Sequence, residues 1–300
     1  MNPHAFPVNL SVVVPVYNAA FQLPDLLDAL CAQIGPDHEV IVVDDGSIDT
    51  TAAIAADYPV RLLRLRANRG PAAARNAGAE GARGDWLLFT DGDCRPAPDW
   101  LDAMAARIAR GGARAVMGRV VMAPSNRFGD AVSAIGYPAG GSTGFDKIWR
   151  VAADGSTHSL STCNCAVSRD VFRQLGGFDT DFPHAGGEDS LMAYRLLEAG
   201  HRIVYDPTAV VVHQARRHWR DVAAWQFKRG ISSRIFAGKI RGRRRYVGLR
   251  LWSTVNILRT WKDDSKFPLI LALLGCSVLL QGAGFLWARI PGRHHARSHR

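Results

Sequence analysis

Two short apolar runs end in paired acids, and this arrangement constrains the fold more than any other feature of the chain. Trp86-Leu87-Leu88-Phe89-Thr90 runs into Asp91-Gly92-Asp93, and Val40-Ile41-Val42-Val43 runs into Asp44-Asp45, followed by the turn Gly46-Ser47-Ile48-Asp49-Thr50. Short β-branched and aromatic runs bounded by turn residues read as buried strands. Residues 10–16 and 60–65 read the same way. Between these strands, Leu23, Leu26, Leu27, Leu30 and Cys31 recur at helical spacing, residues 51–56 are helical in composition, and Pro71 opens a helix over 71–81. The order β-α-β-α-β-α-β predicts a doubly wound α/β unit whose parallel strands point their carboxyl ends at one crevice. Asp45 and Asp91 then approach one ligand, and Asp91-Gly92-Asp93 offers carboxylates to a hard cation that also takes substrate phosphates. Asp49 reads as a helix cap.

The second half departs from this pattern. Residues 98–110 are spaced as an amphipathic helix, and 115–121 and 159–167 as strands. Residues 124–155 are glycine-rich and weakly patterned, which predicts a mobile loop over a site. Gly186-Gly187-Glu188-Asp189 opens a helix with the apolar face Met192, Ala193, Leu196 and Leu197, so two more carboxylates lie at a helix N-terminus. After Tyr205-Asp206-Pro207, the run 209–212 ends at His213.

At 300 residues and 47% hydrophobic, the chain can build one large core or two modest ones. Its charge is uneven: residues 1–212 carry 18 Lys/Arg against 24 Asp/Glu, 213–266 carry 15 against 3, and 267–300 carry 4 against none. The net charge of +10 belongs to the C-terminal third, and the acidic body would repel a nucleic-acid backbone. Cys31, Cys94, Cys163, Cys165 and Cys276 contain no C-x-x-C pair and are odd in number, which argues against a disulfide framework and a structural zinc site. A reducing compartment is expected, with Cys163 and Cys165 packed on one face of a strand. The N-terminus reads without a signal peptide, since it lacks a basic start and a long apolar run.

Val12-Val13-Val14-Pro15-Val16-Tyr17-Asn18, Asp44-Asp45-Gly46-Ser47, Asn68-Arg69-Gly70 with Arg75-Asn76, Asp91-Gly92-Asp93, Gly176-Gly177-Phe178-Asp179 and Gly187-Glu188-Asp189 resemble the successive motifs of family 2 glycosyltransferases. The resemblance covers about residues 10–213. It implies a GT-A fold over residues 8–215, α/β with a Rossmann-like, mostly parallel sheet and helices on both faces. It also implies an inverting mechanism, Mg²⁺ or Mn²⁺, and a nucleotide-diphosphate sugar donor, with a UDP-sugar favoured. By position, Pro15 and Tyr17 would wall the nucleoside pocket, Asp45 would bond the base, Asp91 would contact the ribose region and Asp93 the metal. Arg75 would contact base or diphosphate; the alternative is an arginine on an exposed helix face. Asp189 matches the family's base, and Glu188 would orient the acceptor or act only as a first-turn carboxylate. His213 would complete the cation's coordination, contact the diphosphate, or serve structurally. Processive members carry Gln-x-x-Arg-Trp after the base. Here Gln226-Phe227-Lys228-Arg229-Gly230 ends in glycine, which favours transfer of a single sugar.

The residue types suit that chemistry. Displacing a nucleoside diphosphate from an anomeric carbon requires stabilisation of the leaving charge and one base for the acceptor hydroxyl. The C-terminal third, residues 216–300, reads as membrane-associating. Residues 267–288 hold no charge and are long enough to cross a hydrocarbon core, although Pro268, Gly275, Gln281, Gly282 and Gly284 weaken a simple span. Before them, Trp219, Trp225, Phe227, Phe236, Tyr246, Trp252 and Trp261 mingle with the cluster Arg241, Arg243, Arg244 and Arg245, a mixture that settles at anionic membrane surfaces. Arg289, Arg293, Arg297 and Arg300 make the far flank basic too, so a re-entrant or in-plane segment fits better than a crossing. The alternative is a C-terminal helix buried against the core. The expectation is therefore a glycosyltransferase on the cytoplasmic side of the plasma membrane, acting on a saccharide or lipid-linked acceptor in cell-envelope glycan synthesis, without a nucleic-acid partner. Two rivals stay open: a nucleic-acid-binding protein using the arginine cluster, and a membrane-bound binding protein with a silent GT-A domain, against which Asp93 and Asp189 speak.

Overall fold

In the computed structural model, which describes residues 9–241 and 244–290, the first strand β1 (Leu10–Val16) is buried at nearly every position. Such continuous apolar character suits a strand covered on both faces. α1 (Leu23–Cys31) follows, and its stripe Leu23, Leu26, Leu27 and Leu30 is fully buried, as spacing by three and four dictates. Each of these side chains contributes about 1.5–3 kcal/mol by leaving water. β2 (His38–Asp44), α2 (Thr51–Ala56), β3 (Arg61–Arg64), α3 (Pro71–Glu80) and β4 (Trp86–Phe89) complete the predicted alternation. Pro71 occupies the first turn of α3, where its missing N–H costs nothing.

β5 (Cys94–Pro96), α4 (Trp100–Ala109), β6 (Ala115–Met122), α5 (Arg127–Ala134), α6 (Phe145–Ile148), β7 (Ser156–Thr157), β8 (Cys165–Ser168), α7 (Arg169–Gln174), α8 (Glu188–Glu198) and β9 (Ile203–His213) build the second half. The sheet order is β3-β2-β1-β4-β8-β6-β9-β5, with β7 also on β9. β3, β2, β1 and β4 are parallel, as the alternation requires. Beyond β4 the sheet becomes mixed: β8 runs antiparallel to both β4 and β6, while β6 and β9 are parallel. The physical reason lies in the connection. β6 ends at the carboxyl edge of the sheet, and the excursion after it returns the chain at that same edge, so β8 must run backwards.

The excursion is not the mobile loop that its glycines predict. Asn126 caps α5 by accepting from the Gly129 amide at 2.8 Å, and Gly141–Thr143 forms a 3-10 turn. Ala131, Val132, Ala134, Ile135 and Ile148 are buried in a second apolar cluster, so tertiary contacts order what local pattern leaves weak. The strand expected over 159–167 is confined to Cys165–Ser168 because the segment before it turns, the Asn164 amide bonding Ser161 O at 3.1 Å. Cys163 lies in that turn and not on the strand face expected to carry it with Cys165, but both are buried, consistent with core packing. Between them, Asn164 is fully buried where the β6–β9 register shifts: it donates to Arg119 O at 2.8 Å and Ala209 O at 2.9 Å and accepts from Trp100 Nε1 at 2.8 Å. A bulge leaves backbone groups unpaired, and this side chain pairs them.

Three helices end the described chain: α9 (Trp219–Lys239), α10 (Arg244–Trp261) and α11 (Phe267–Trp287). Val222, Ile257, Ile270 and Leu273 from these helices bury against α5 and α6 in the second cluster. α9 and α11 are also tied by polar groups, Gln226 Nε2 donating to Ser277 Oγ and Gln281 Nε2 to Gln226 Oε1, each at 2.8 Å. α11 is apolar enough to cross a membrane, yet Leu271, Val278, Leu279 and Leu286 remain exposed along it. Of the basic residues read as membrane-facing, Arg243, Arg293, Arg297 and Arg300 lie outside the described residues, as do the side chains of Arg244, Arg245 and Tyr246.

Candidate active site

The carboxyl ends of β1 and β2 are stitched together. Asn18 N donates to Ser47 Oγ at 2.9 Å, and Ile48 N donates to Asn18 Oδ1 at 3.0 Å. Gly46 has φ +76°, and a Cβ there would lie 2.8 Å from the Ala67 carbonyl carbon, so only glycine lets this turn meet the 67–70 loop. Asp45 completes the junction: its two oxygens accept from the Arg69 and Gly70 amides, both at 2.8 Å. Burial raises its pKa despite these amides, with Asp44 adding to the rise. Asp44 caps the same turn through Ser47 N, whereas Asp49 is not the helix cap expected of it: Thr50 holds the cap position of α2 without a side-chain cap bond, and Asp49, one residue earlier, accepts from Thr51 N. Pro15 lies at the end of β1, half-buried, and Tyr17 is exposed beside it.

β4 delivers Asp91 and α8 delivers Glu188 and Asp189, and α3 joins them through Arg75. Arg75 is 1% exposed, which overturns the reading of an exposed helix face. Its Nη2 donates to Asp91 Oδ1 at 2.6 Å and its Nη1 to Glu188 Oε1 at 3.0 Å. Burial opposes the guanidinium charge, but Asp91 and Glu188 outweigh it and raise the pKa. Glu188 is itself 1% exposed and also accepts from Gly186 N, so its carboxylate is directed at Arg75 and the preceding loop. Desolvation, then the charge of Asp189, pushes Glu188 up to about 7, with Arg75 opposing. Asn76, next to Arg75, locks α3 to the Gly177-Phe178 loop by a reciprocal pair with the Phe178 backbone at 2.8 and 2.9 Å.

Asp189 points differently. Its Oδ1 accepts from Ser190 N at 2.6 Å and Gly187 N at 3.2 Å, and among the described residues Oδ2 accepts no hydrogen bond. The N-terminal turn of α8 thus orients one oxygen and leaves the other to the cavity.

Asp93 and His213 meet because β5 pairs antiparallel with β9, opposing Cys94 to His213. His213 Nε2 lies 3.5 Å from Asp93 Oδ1, while its Nδ1 is 2.7 Å from the Gln214 carbonyl. Cys94 Sγ completes a cluster whose donor atoms lie within 4.8 Å of one another. Carboxylate oxygen and imidazole nitrogen fit Mg²⁺ or Mn²⁺, with room for diphosphate oxygens. The thiol does not fit, since burial holds the Cys94 pKa well above its usual value. Asp93 and His213 would therefore hold the ion.

One cavity of about 1310 Å³ joins Asp91, Glu188, Asp189 and His213. Asp93 borders it through His213, whereas Pro15, Tyr17 and Asp45 lie apart from its lining at the ends of β1 and β2. Another part of the wall comes from the segment after β9, with Arg216, and from the C-terminal helices, with Trp225 and Arg229, which the sequence reading did not place in the site. Arg229 stands in the Gln-x-x-Arg pattern, and that was the available clue; Arg216 was hidden in a uniformly basic stretch.

A mixed α/β sheet with acids gathered at its carboxyl edge defines the GT-A class of transferase fold. The chain belongs to glycosyl transferase family 2, whose model matches residues 11–176. It is 28% identical over 304 residues to glycosyltransferase AglE of Haloferax volcanii, covering 92% of this chain and 95% of that protein. It is 31% identical over 217 residues to the pre-mycofactocin glycosyltransferase of Mycobacterium tuberculosis, covering 71% of this chain but 44% of the relative. Among solved structures, S. aureus TarS 1-349 in complex with UDP-GlcNAc matches with TM-score 0.58 at 18% identity, over 91% of this chain and 81% of that one. Mannosyltransferase PcManGT from Pyrobaculum calidifontis, in complex with GDP-Man and Mn²⁺, matches with TM-score 0.57 at 22% identity, over 95% and 84%. These likenesses establish the fold and a glycosyltransferase, with nucleotide-sugar complexes among its structural neighbours.

Proposed function

We propose that this protein is an inverting, metal-dependent glycosyltransferase that moves one sugar from a nucleotide-diphosphate donor, a UDP-sugar in preference, to a saccharide or lipid-linked acceptor in cell-envelope glycan synthesis. The observation that carries the reading is Asp189, a half-buried carboxylate with one oxygen held by α8 and the other turned to the cavity that Asp91 and His213 share. The acceptor hydroxyl oxygen attacks the anomeric carbon on the face opposite the leaving group and gives its proton to Asp189. The bond from that carbon to the diphosphate oxygen breaks, and the nucleoside diphosphate leaves with the electron pair, which inverts the configuration. Asp93 and His213 would hold a divalent cation, which would supply charge neutralisation for the leaving diphosphate.

The remaining residues position these groups. Asp45 fixes the loop 69–70 beneath the nucleoside pocket that Pro15 and Tyr17 wall. Arg75 holds Asp91 and Glu188 in register, so Glu188 acts through Arg75 and the Gly186 amide rather than on the acceptor. A cytoplasmic membrane face suits the exposed apolar side chains of α11 beside the basic α9 and α10. Undecaprenyl-phosphate 4-deoxy-4-formamido-L-arabinose transferase of Pseudomonas fluorescens, 35% identical over 116 residues, is a relative named for a lipid phosphate, which supports the lipid-linked option; those residues cover 35% of this chain and 34% of that protein.

A thermal-shift titration with UDP, GDP and dTDP in Mg²⁺ or Mn²⁺ tests the donor, because a ligand that binds only the folded state raises the melting temperature. UDP with metal should give the largest shift. Asp189→Asn should keep that shift and lose sugar transfer by on the order of a hundredfold or more. Near-normal turnover in the variant would remove Asp189 from the base role.

A further inference from the structure

The cavity has three zones along its length, and only the first serves the donor and base. Its inner end carries Asp189. Its outer end is lined by Val247, Leu251 and Val278, which are 61%, 66% and 72% exposed and so open an apolar mouth between α10 and α11. The neck between them is cationic and aromatic. Arg216 and Arg229 stack on the Trp225 ring, their guanidinium carbons 5.0 and 5.4 Å from its centroid, and Arg229 lies 4.0 Å from the Tyr137 centroid. A Cβ on Gly186 would lie 3.6 Å from Arg229 Nη1, so the neck adjoins the turn that presents Asp189.

Among the described residues, neither guanidinium has an ion pair, and Arg229 Nε is buried without a hydrogen-bond partner. Burial lowers the pKa of both groups, against the pull of Asp93 and Asp221 on Arg216 and of Asp189 and Glu188 on Arg229. Arg229 is half-buried and Arg216 exposed beside it, so the neck offers one partly desolvated and one open guanidinium, neither engaged in a direct ion pair among the described residues. Planar guanidinium forks suit phosphate oxygens, and an apolar mouth suits a hydrocarbon chain. A phosphate as the nucleophile itself would need no base and would be repelled by the acids at the inner end. The anion therefore belongs one position further out, with a sugar between it and Asp189.

We infer that Arg216 and Arg229 hold the phosphate of a lipid-linked saccharide acceptor, with its hydroxyl at Asp189 and its hydrocarbon chain leaving past Val247, Leu251 and Val278. This rests on the proposed transfer reaction. The hydroxyl oxygen bonds to the donor's anomeric carbon, its proton passes to Asp189, and the nucleoside diphosphate departs with the electrons of the broken bond.

The test uses the full chain in detergent micelles and tryptophan fluorescence, since Trp225 sits in the neck. Farnesyl phosphate should quench the signal, farnesol should bind about tenfold more weakly, and inorganic phosphate alone should have no effect, because phosphate and chain are both recognised. Arg229→Gln and Arg216→Gln should each weaken farnesyl phosphate by about tenfold, and Arg229→Lys should recover part of the loss by restoring a point charge. UDP affinity with Mg²⁺, measured on the same samples, should change by less than about threefold. Equal binding of farnesol and farnesyl phosphate, or undiminished farnesyl phosphate binding in both glutamine variants, overturns the inference. Loss of UDP binding in these variants with farnesyl phosphate unaffected would assign the arginines to the donor instead. Absence of UDP binding in the unmodified protein would remove the transfer reaction itself, and the acceptor assignment with it. Thermal melts show whether each variant is folded, and Arg229→Lys supplies the comparison if a glutamine variant is not.

Discussion

Around Arg75 three carboxylates gather: Asp91 at 2.6 Å, Glu188 at 3.0 Å and Asp189 nearby, with Arg229 as a second, more distant cation for the last two. Burial, and after it the charge of Asp189, is why Glu188 is the acid that resists ionisation, with Arg75 opposing. The sign of its pH dependence follows. In the unfolded chain Glu188 ionises near its ordinary 4.5, and in the folded chain near 7, so between these values the folded state binds the extra proton and stability falls as pH rises. Glu188→Gln mimics the protonated form and lacks this loss. The melting temperature of the variant should therefore gain on that of the unmodified protein from about pH 4.5 to about pH 7 and level off above. Calorimetry across this window checks it, and a difference that is flat or shrinks with pH would mean that Arg75 holds Glu188 ionised throughout. The motif residues were legible in sequence because their order and spacing are local patterns. The burial of Arg75 was not, since its partner Glu188 lies 113 positions away.

At the level of elements, the glycine that ends Gln226-Phe227-Lys228-Arg229-Gly230 has a packing cause. α9 and α11 approach so closely that a Cβ on Gly230 would overlap the Gln281 carbonyl oxygen, and one on Gly284 would overlap the Phe227 carbonyl oxygen. A tryptophan at 230 is incompatible with this crossing. Small residues at such contacts let backbones meet, and the buried Gln226 and Ser277 with the half-buried Gln281 fix the register. Gly230→Ala should destabilise by about 1–3 kcal/mol through overpacking. Gly238→Ala, on the same helix with nothing within 4 Å of its Cβ, should be neutral or stabilise by up to about 1 kcal/mol from helix propensity. Denaturant midpoints decide between them, and equal effects would refute the close crossing. The sequence identified α11 by its apolar run, but not its seat against α9.

For the whole molecule, the second apolar cluster makes α5, α6 and the C-terminal helices one packed unit beside the sheet. Cutting the chain near residue 266 would strip Ile270 and Leu273 from that unit, so membrane binding is better tested on the intact fold. Leu271, Leu279 and Leu286 are exposed on α11 at 44%, 74% and 59% and are free to enter a bilayer. The unmodified protein should float with anionic vesicles in low and high salt alike, because apolar burial persists when charge is screened. Replacing these three leucines by glutamine should leave binding at low salt, through the lysines and arginines, and abolish it at high salt. Salt-sensitive flotation of the unmodified protein, or salt-resistant flotation of the triple variant, would refute insertion through this face.

The alternation of buried runs and helical stripes is a period written into neighbouring residues, and so the sequence alone determined the parallel β3-β2-β1-β4 unit, the helices on it and the acids at its carboxyl edge. The basic, aromatic composition of the C-terminal third was equally plain. Which of those arginines face a cavity, why residues 124–155 are ordered, and how β8 reverses the sheet depended on contacts between segments far apart in the chain. No local period encodes such contacts, because a glycine-rich stretch packs or moves according to what is brought against it. Here it is α9, α10 and α11 that are brought against it, and they turn an open sheet edge into an enclosed site.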